Sequence, residues 1–163
     1  MKYSFIISSR SLIISQSASF CDSDFQIQGR FTKPSWECVF VFHKHLPYLQ
    51  GNKEDIDITA EEFKSFSDGF WNISPHSKKN GHPAPFPEDL IYRLIKFYTY
   101  KGNIVLDMFA GSGTVGIVAL RTERHFVCID ISKQYTELAE RRIDEVRKQG
   151  KIEVPIRSLE KYR

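Results

Sequence analysis

From Gly81 onward the apolar and polar positions keep periods that can be read as elements. Leu90, Ile91, Leu94, Ile95 and Tyr98 recur at helical spacing. Pro87 at the first helical position, with Glu88 and Asp89 in the first turn, opens that helix, and Gly102 closes it. Ile104-Val105-Leu106 follows as a short buried strand, the glycine-rich Ala110–Gly113 turns the chain, and Val115–Arg121 reads as a helix. Phe126-Val127-Cys128-Ile129 is the next strand. Ser132 then stands as an N-cap before Tyr135, Leu138, Ala139, Ile143 and Val146, which line one helical face that Gly150 ends. With Ile152–Ile156 as a further strand, helix and strand alternate as in an open parallel sheet with right-handed crossovers, and the predicted class is α/β.

Residues 1–81 carry a weaker pattern. A Ser-rich start, with eight Ser in the first 23 residues, leads to a predicted strand Trp36–Phe42 and then a charged linker Asn52–Glu62. Met1-Lys2, Phe5-Ile6-Ile7 and Leu12-Ile13-Ile14 imitate a secretion signal, but Arg10 cuts the apolar stretch and no clear small-residue cleavage site follows. No apolar run approaches the roughly 18 residues that a bilayer-spanning helix needs. No internal repeat is visible.

Composition narrows the reading further. The 163 residues, 41% of them hydrophobic, suit a single domain at roughly 150 residues each. Lys and Arg total 23 against 20 Asp and Glu; the first 100 residues balance at 11 against 11, and the last 63 hold 12 against 9. That excludes an arm gripping nucleic acid by charge alone and leaves room for a groove binder whose charge is local. Cys21, Cys38 and Cys128 are an odd number without CxxC or Cys/His ligand spacing, so neither a disulfide framework nor a metal site is expected. Cys38 and Cys128 read as small core residues, and a reducing, cytoplasmic setting is the expectation.

The candidate chemistry lies where strand Ile104–Leu106 runs through Asp107-Met108-Phe109-Ala110-Gly111-Ser112-Gly113-Thr114 into a helix. In an open α/β sheet this turn sits at the carboxyl edge, where ligands bind. Gly111 and Gly113 allow close backbone approach, and the helix N-terminus offers unpaired N–H groups. Asp130, at the end of the following strand, stands where an acid accepts both hydroxyls of a ribose. The spacing is not the GxGxxG dinucleotide fingerprint, since helix packing explains Gly116 equally well, and there is no Gly-Lys-Ser/Thr phosphate loop. Asp107 asks for a ligand with a positive amino group. S-adenosylmethionine, an adenosine cofactor that carries an amino acid, meets all three demands.

These residues resemble a known family. His82-Pro83-Ala84-Pro85-Phe86-Pro87-Glu88-Asp89-Leu90, then Val105–Thr114, then Cys128-Ile129-Asp130-Ile131 with Tyr135 and Arg141-Arg142, are similar to the C-terminal half of bacterial and archaeal DNA amino-methyltransferases. Those enzymes methylate adenine N6 or cytosine N4, here in the arrangement where the catalytic region precedes the cofactor region. The resemblance covers about residues 69–143, and more loosely Trp36–Lys44 and Phe70-Trp71-Asn72-Ile73. It implies a Rossmann-like S-adenosylmethionine-dependent methyltransferase fold, incomplete in this chain, with residues 1–68 a remnant of the catalytic and target-recognition half and 69–163 the cofactor-binding portion. It also implies that Phe109, Gly111, Ser112, Gly113 and Thr114 wrap the methionine part of the cofactor. Asp107 would meet the amino group, Asp130 the ribose and Ile131 the adenine, while His82, Pro83, Phe86 and Pro87 would close the pocket. Each has a plainer rival: His82 as a cap or as packing beside its prolines, Phe86 as ordinary core, and Ile131 as a residue apolar enough to be core. Met108 in place of the usual proline and Val115 in place of a frequent second threonine remove no polar ligand group.

The family's catalytic tetrapeptide, Asp, Ser or Asn followed by Pro-Pro and an aromatic, is absent: none of the seven prolines adjoin. Ser74-Pro75-His76 and Pro47-Tyr48 are partial imitations only, so no catalytic residue is assigned. DNA contacts are thin as well. Lys78-Lys79-Asn80 read as solvated, and Arg141, Arg142, Arg147 and Lys148 as the wet face of the last helix. The resemblance implies a site-specific DNA methyltransferase of a restriction-modification kind, acting on double-stranded DNA and away from membranes, truncated or completed by a second chain that supplies the catalytic half. The alternative is a catalytically inactive cofactor-binding remnant or subunit; a small-molecule methyltransferase is a weaker third.

Overall fold

The computed structural model describes residues 2–8, 11–17, 38–43, 51–74 and 86–150. Its elements in chain order are β1 (Lys2–Ser8), β2 (Ser11–Ser17), β3 (Cys38–His43), a 3-10 turn Lys53–Asp55, α1 (Ala60–Ser67), α2 (Glu88–Tyr98), β4 (Ile104–Asp107), α3 (Thr114–Arg121), β5 (His125–Cys128) and α4 (Lys133–Lys148). The strands form one sheet in the order β3-β2-β1-β4-β5.

The second part of the chain follows its periodicity closely. Pro87 caps α2 from just outside rather than opening it, and Ile91, Leu94 and Ile95 are buried on its inner face. Ser132 caps α4 by accepting from the Tyr135 N–H, and Gly150 follows its end in a left-handed conformation. The expected strand Ile152–Ile156 lies outside the described residues.

Two readings need correction. Within the Ser-rich start, whose likeness to a secretion signal the sequence already discounts, Lys2–Ser8 and Ser11–Ser17 form the antiparallel pair β1–β2. The sheet is therefore mixed: β4–β5 is parallel, while β1–β2, β2–β3 and β1–β4 are antiparallel. Finally, the charged linker 52–62 runs into helix α1, whose start is fixed by a capping box: Thr59 Oγ accepts from the Glu62 N–H at 3.1 Å and the Glu62 carboxylate accepts from the Thr59 N–H at 2.9 Å.

One face of this sheet holds the core. Val105, Val39, Val41 and Phe126 meet Phe66 of α1, Ile91, Leu94 and Ile95 of α2, and Val115 and Val118 of α3. At Gly116 of α3 a Cβ would stand 3.0 Å from both Cys128 Sγ and Ile143 Cδ1, so helix packing accounts for that glycine and places α4 on the same face. Each fully buried Val, Leu or Ile contributes about 1.5–3 kcal/mol relative to exposure. Backbone register runs continuously across the sheet: Val41, Ile13, Ile6, Asp107 and Cys128 are successive partners, as are Phe42, Leu12, Ile7, Leu106 and Val127. Among the described residues all four α-helices lie on the core side, and Phe40, Phe42, Ile104 and Val127 are exposed. By strand alternation Cys38 shares the Phe40 and Phe42 side and is half-buried there instead of being a core residue. No helix among the described residues is long and apolar enough to cross a membrane.

Candidate cofactor site

The two motifs meet at the carboxyl ends of β4 and β5. Parallel pairing sets Asp107 beside Cys128, so the loops that follow both strands emerge together. The Ala110 N–H donates to Ile129 O at 2.9 Å and the Ile129 N–H to Asp107 O at 2.8 Å, which stitches the glycine loop to the end of β5. Asp130 completes the joint. One carboxylate oxygen accepts from the Gly111 N–H at 2.9 Å and the other from the Ser132 N–H at 2.8 Å, binding both loops to one acid. Each oxygen keeps a further lone pair, so a neighbouring diol can still donate to it.

The loop backbone depends on its glycines. Gly111 and Gly113 have φ of 51° and 76°, in the left-handed region that a side chain disfavours. At Gly113 a Cβ would also lie 2.8 Å from Ala139 Cβ of α4. The Gly113 N–H donates to Ala110 O at 2.8 Å, and α3 begins at Thr114 with its first N–H groups facing the loop.

Asp107 is the unusual charge here. It is 3% exposed, accepts from the Phe109 N–H at 3.0 Å, and has no Lys or Arg at ion-pair distance among the described residues. Burial pushes its carboxyl up to about 6, with the nearby charge of Asp130 adding to the rise and the Phe109 N–H opposing it. Such a group is stabilised by a cation brought to it. Phe109 and Ile131 are exposed beside it, Ile131 fully, so neither belongs to the core. Phe86 and Pro87 are half-buried at the start of α2; Ser112 and Thr114 are buried with their hydroxyls 3.4 Å apart. His82 and Pro83 lie outside the described residues, as do Lys78, Lys79 and Asn80. An acid for an ammonium, an acid for a diol and exposed apolar side chains fit the three parts of S-adenosylmethionine.

Arg142 departs from the sequence reading. Arg141, Arg147 and Lys148 are exposed as expected, but Arg142 is half-buried and its Nη1 donates to the carbonyl of Ser112 inside the glycine loop. Its position three residues after Ala139 and beside Ile143, both buried, is the signal that could have placed it on the inner face.

The fold is that of Rossmann-like methyltransferases. A protein of Thermus thermophilus, TTHA0409, crystallised with S-adenosyl-L-methionine, is similar at a TM-score of 0.62, with 24% identity over 86% of this chain and 54% of its own. Another crystal structure of TTHA0409 gives a TM-score of 0.61 and 28% identity over 80% and 50% of the two chains. The sequence pattern of the N6 and N4 DNA methylases matches residues 7–141, and the chain belongs to that family. Among curated relatives, it is 40% identical over 114 residues to the type II methyltransferase M.BglI of Bacillus subtilis, covering 68% of this chain and 33% of that one. It is 44% identical over 124 residues to the type II methyltransferase M2.DpnII of Streptococcus pneumoniae, covering 68% and 46%. The chain thus spans a third to about half of the length of these relatives.

Proposed function

We propose that this chain binds S-adenosylmethionine and serves as the cofactor-holding part of a methyltransferase acting on adenine N6 or cytosine N4 in double-stranded DNA. The observation that carries this reading is the joint at Asp130, which holds the glycine loop and the end of β5 together beside a buried Asp107 with no Lys or Arg at ion-pair distance among the described residues. In this reading Asp107 receives the ammonium, Asp130 the ribose hydroxyls, and Ile131 and Phe109 the adenine and its surroundings. Gly111, Ser112, Gly113 and Thr114 wrap the methionine part, and His82, Pro83, Phe86 and Pro87 close the pocket. Bound there, the cofactor supplies an electrophilic methyl group; the chain's own residues bind and orient it. Residues 69–163 form the cofactor-binding portion and 1–68 belong with the catalytic and target-recognition half, in a cytoplasmic setting. Calorimetry with the purified chain tests this. Binding by the parent and at least a tenfold loss in Asp130→Ala are expected; no binding by the parent, or an unchanged variant, overturns it.

A second polypeptide carrying the rest of the methyltransferase fold completes the enzyme in this reading. One observation supports it: the exposed Phe40, Phe42, Ile104 and Val127 leave large apolar side chains on the sheet face that the described helices do not cover. Methyl incorporation into DNA by the purified 163-residue chain alone would remove the need for that partner.

A further inference from the structure

We propose that Arg142 is a positioning residue for the cofactor loop: it locks the Ser112–Gly113 peptide plane and so sets the affinity for S-adenosylmethionine. The inference rests on the reading of this loop as the cofactor site. The soft motion of a glycine turn is rotation of a whole peptide plane, because a residue without Cβ accepts the new dihedral angles at little cost. In the Ser112–Gly113 plane both polar groups are held. The Gly113 N–H donates to Ala110 O at 2.8 Å, and the Ser112 carbonyl accepts from Arg142 Nη1. The first bond lies within the loop and travels with it. The second comes from α4, where Ala139 presses on Gly113 and Ile143 on Gly116, so it ties the plane to a helix that is already packed.

The guanidinium is itself held between charges. Burial disfavours its charged form, Glu88 and Glu145 favour it, and Arg121 opposes it. Glu88 takes Arg121 in an ion pair at 2.8 Å, and Glu88 directly follows Phe86 and Pro87. One acid therefore faces two cations, one from the end of α3 and one from α4, and it stands at the root of the segment proposed to close the pocket. A guanidinium bonded to a carbonyl provides a charge-assisted, directional bond that an exposed arginine on a wet helix face would not.

Three variants of the full chain test the idea: Arg142→Ala, Arg142→Lys and, as a control at an exposed neighbouring position, Arg141→Ala. Affinity for S-adenosylmethionine is read by calorimetry, and amide hydrogen exchange of residues 111–114 is read without cofactor. Arg142→Ala is expected to weaken binding about tenfold and to speed exchange at Gly113 and Thr114 at least fivefold, while core amides of Val105 and Val118 keep their protection. Arg142→Lys should restore part of both losses, since an ammonium can still donate to the carbonyl, and Arg141→Ala should change neither. Unchanged loop exchange in Arg142→Ala overturns the proposal even if the parent binds no cofactor, a result that would by itself count against the cofactor reading. Binding by Arg142→Ala within twofold of a parent that does bind also overturns it. So does equal loss of protection across core and loop, which would mark Arg142 as a general stabiliser.

Discussion

Arg124 and Asp107 are both 3% exposed, and they stand at opposite ends of the same two strands. Arg124 precedes β5. Its five N–H groups make five hydrogen bonds: Nε to Thr99 Oγ at 3.0 Å, Nη1 to Asp57 at 2.5 Å and Thr122 O at 2.6 Å, and Nη2 to Asp57 and Thr99 O, both at 2.8 Å. Burial pushes the Asp57 carboxyl upward, but hydrogen bonds and charge from Arg124 and then Lys96 outweigh it and hold it below its ordinary value. Lys96 also reaches Glu62 at 3.5 Å, and Glu62 accepts from the Tyr92 hydroxyl at 2.7 Å. Asp107 closes β4 with a backbone N–H and a like charge for company. The amino end is satisfied from within the chain, whereas at the carboxyl end the buried Asp107 has no Lys or Arg at ion-pair distance among the described residues.

Removing Arg124 should break this contrast most severely. Arg124→Ala takes the bidentate partner from Asp57, which is half-buried and keeps Lys96 Nζ at 3.3 Å, and leaves the carbonyls of buried Thr99 and Thr122 without their donor; at about 1–3 kcal/mol for each stranded buried acceptor, a loss of about 3 kcal/mol is expected. Urea unfolding of parent and variant measures it. A loss below about 1 kcal/mol would mean that Asp57 escapes to water and that the amino end is no better satisfied than the carboxyl end.

Asp107 should show its opposite character through pH. Its folded value, about 6, lies above the ordinary 3.8, so between these values the native chain holds a proton that the unfolded chain releases. This acid therefore favours the cofactor-free fold at low pH, and that contribution is lost as pH rises through about 6, a swing of about 3 kcal/mol at two pK units. Binding of an ammonium ligand runs the other way and strengthens as the carboxylate ionises. Asp107→Asn should flatten the first slope, seen as the difference between unfolding free energies of parent and variant at pH 4.5 and 7.5. Parallel pH profiles in the two proteins would show that Asp107 is already compensated within the chain.

The ease of reading these regions from sequence differed for the same physical reason. The helices α2 and α4 and the glycine loop are specified by local signals: apolar spacing, Pro87, Ser132, Gly111 and Gly113. Asp107 ends β4 and Asp130 follows the end of β5 by two residues, so their approach follows from the parallel pairing once that pairing is granted. The partners of Arg124 lie 67 residues away at Asp57 and 25 away at Thr99, and no local pattern announces such an ion pair. The segment 52–62 therefore looks like a solvated acidic linker, although Asp57 and Glu62 point into the fold. Arg142 was hidden in the same manner, because a charge run on a helix suggests water until the loop it touches is known. Only the Thr59-x-x-Glu62 spacing offered a local clue that a helix starts there.

That capping box supplies the smallest and most discriminating perturbation. Thr59→Ala removes the acceptor for the Glu62 N–H, and loss of an N-cap of this kind costs about 1 kcal/mol. The Glu62 carboxylate keeps Tyr92 and Lys96, so the amino-end network should loosen without coming apart. Because Thr59 belongs to the satisfied end, the variant's unfolding midpoint should fall modestly while its affinity for S-adenosylmethionine stays that of the parent. A change in affinity greater than about threefold, near 0.65 kcal/mol by the usual logarithmic conversion, would mean that the two ends of β4 and β5 are coupled through α2 and the core, and the division between a self-satisfied end and a ligand-ready end would have to be given up.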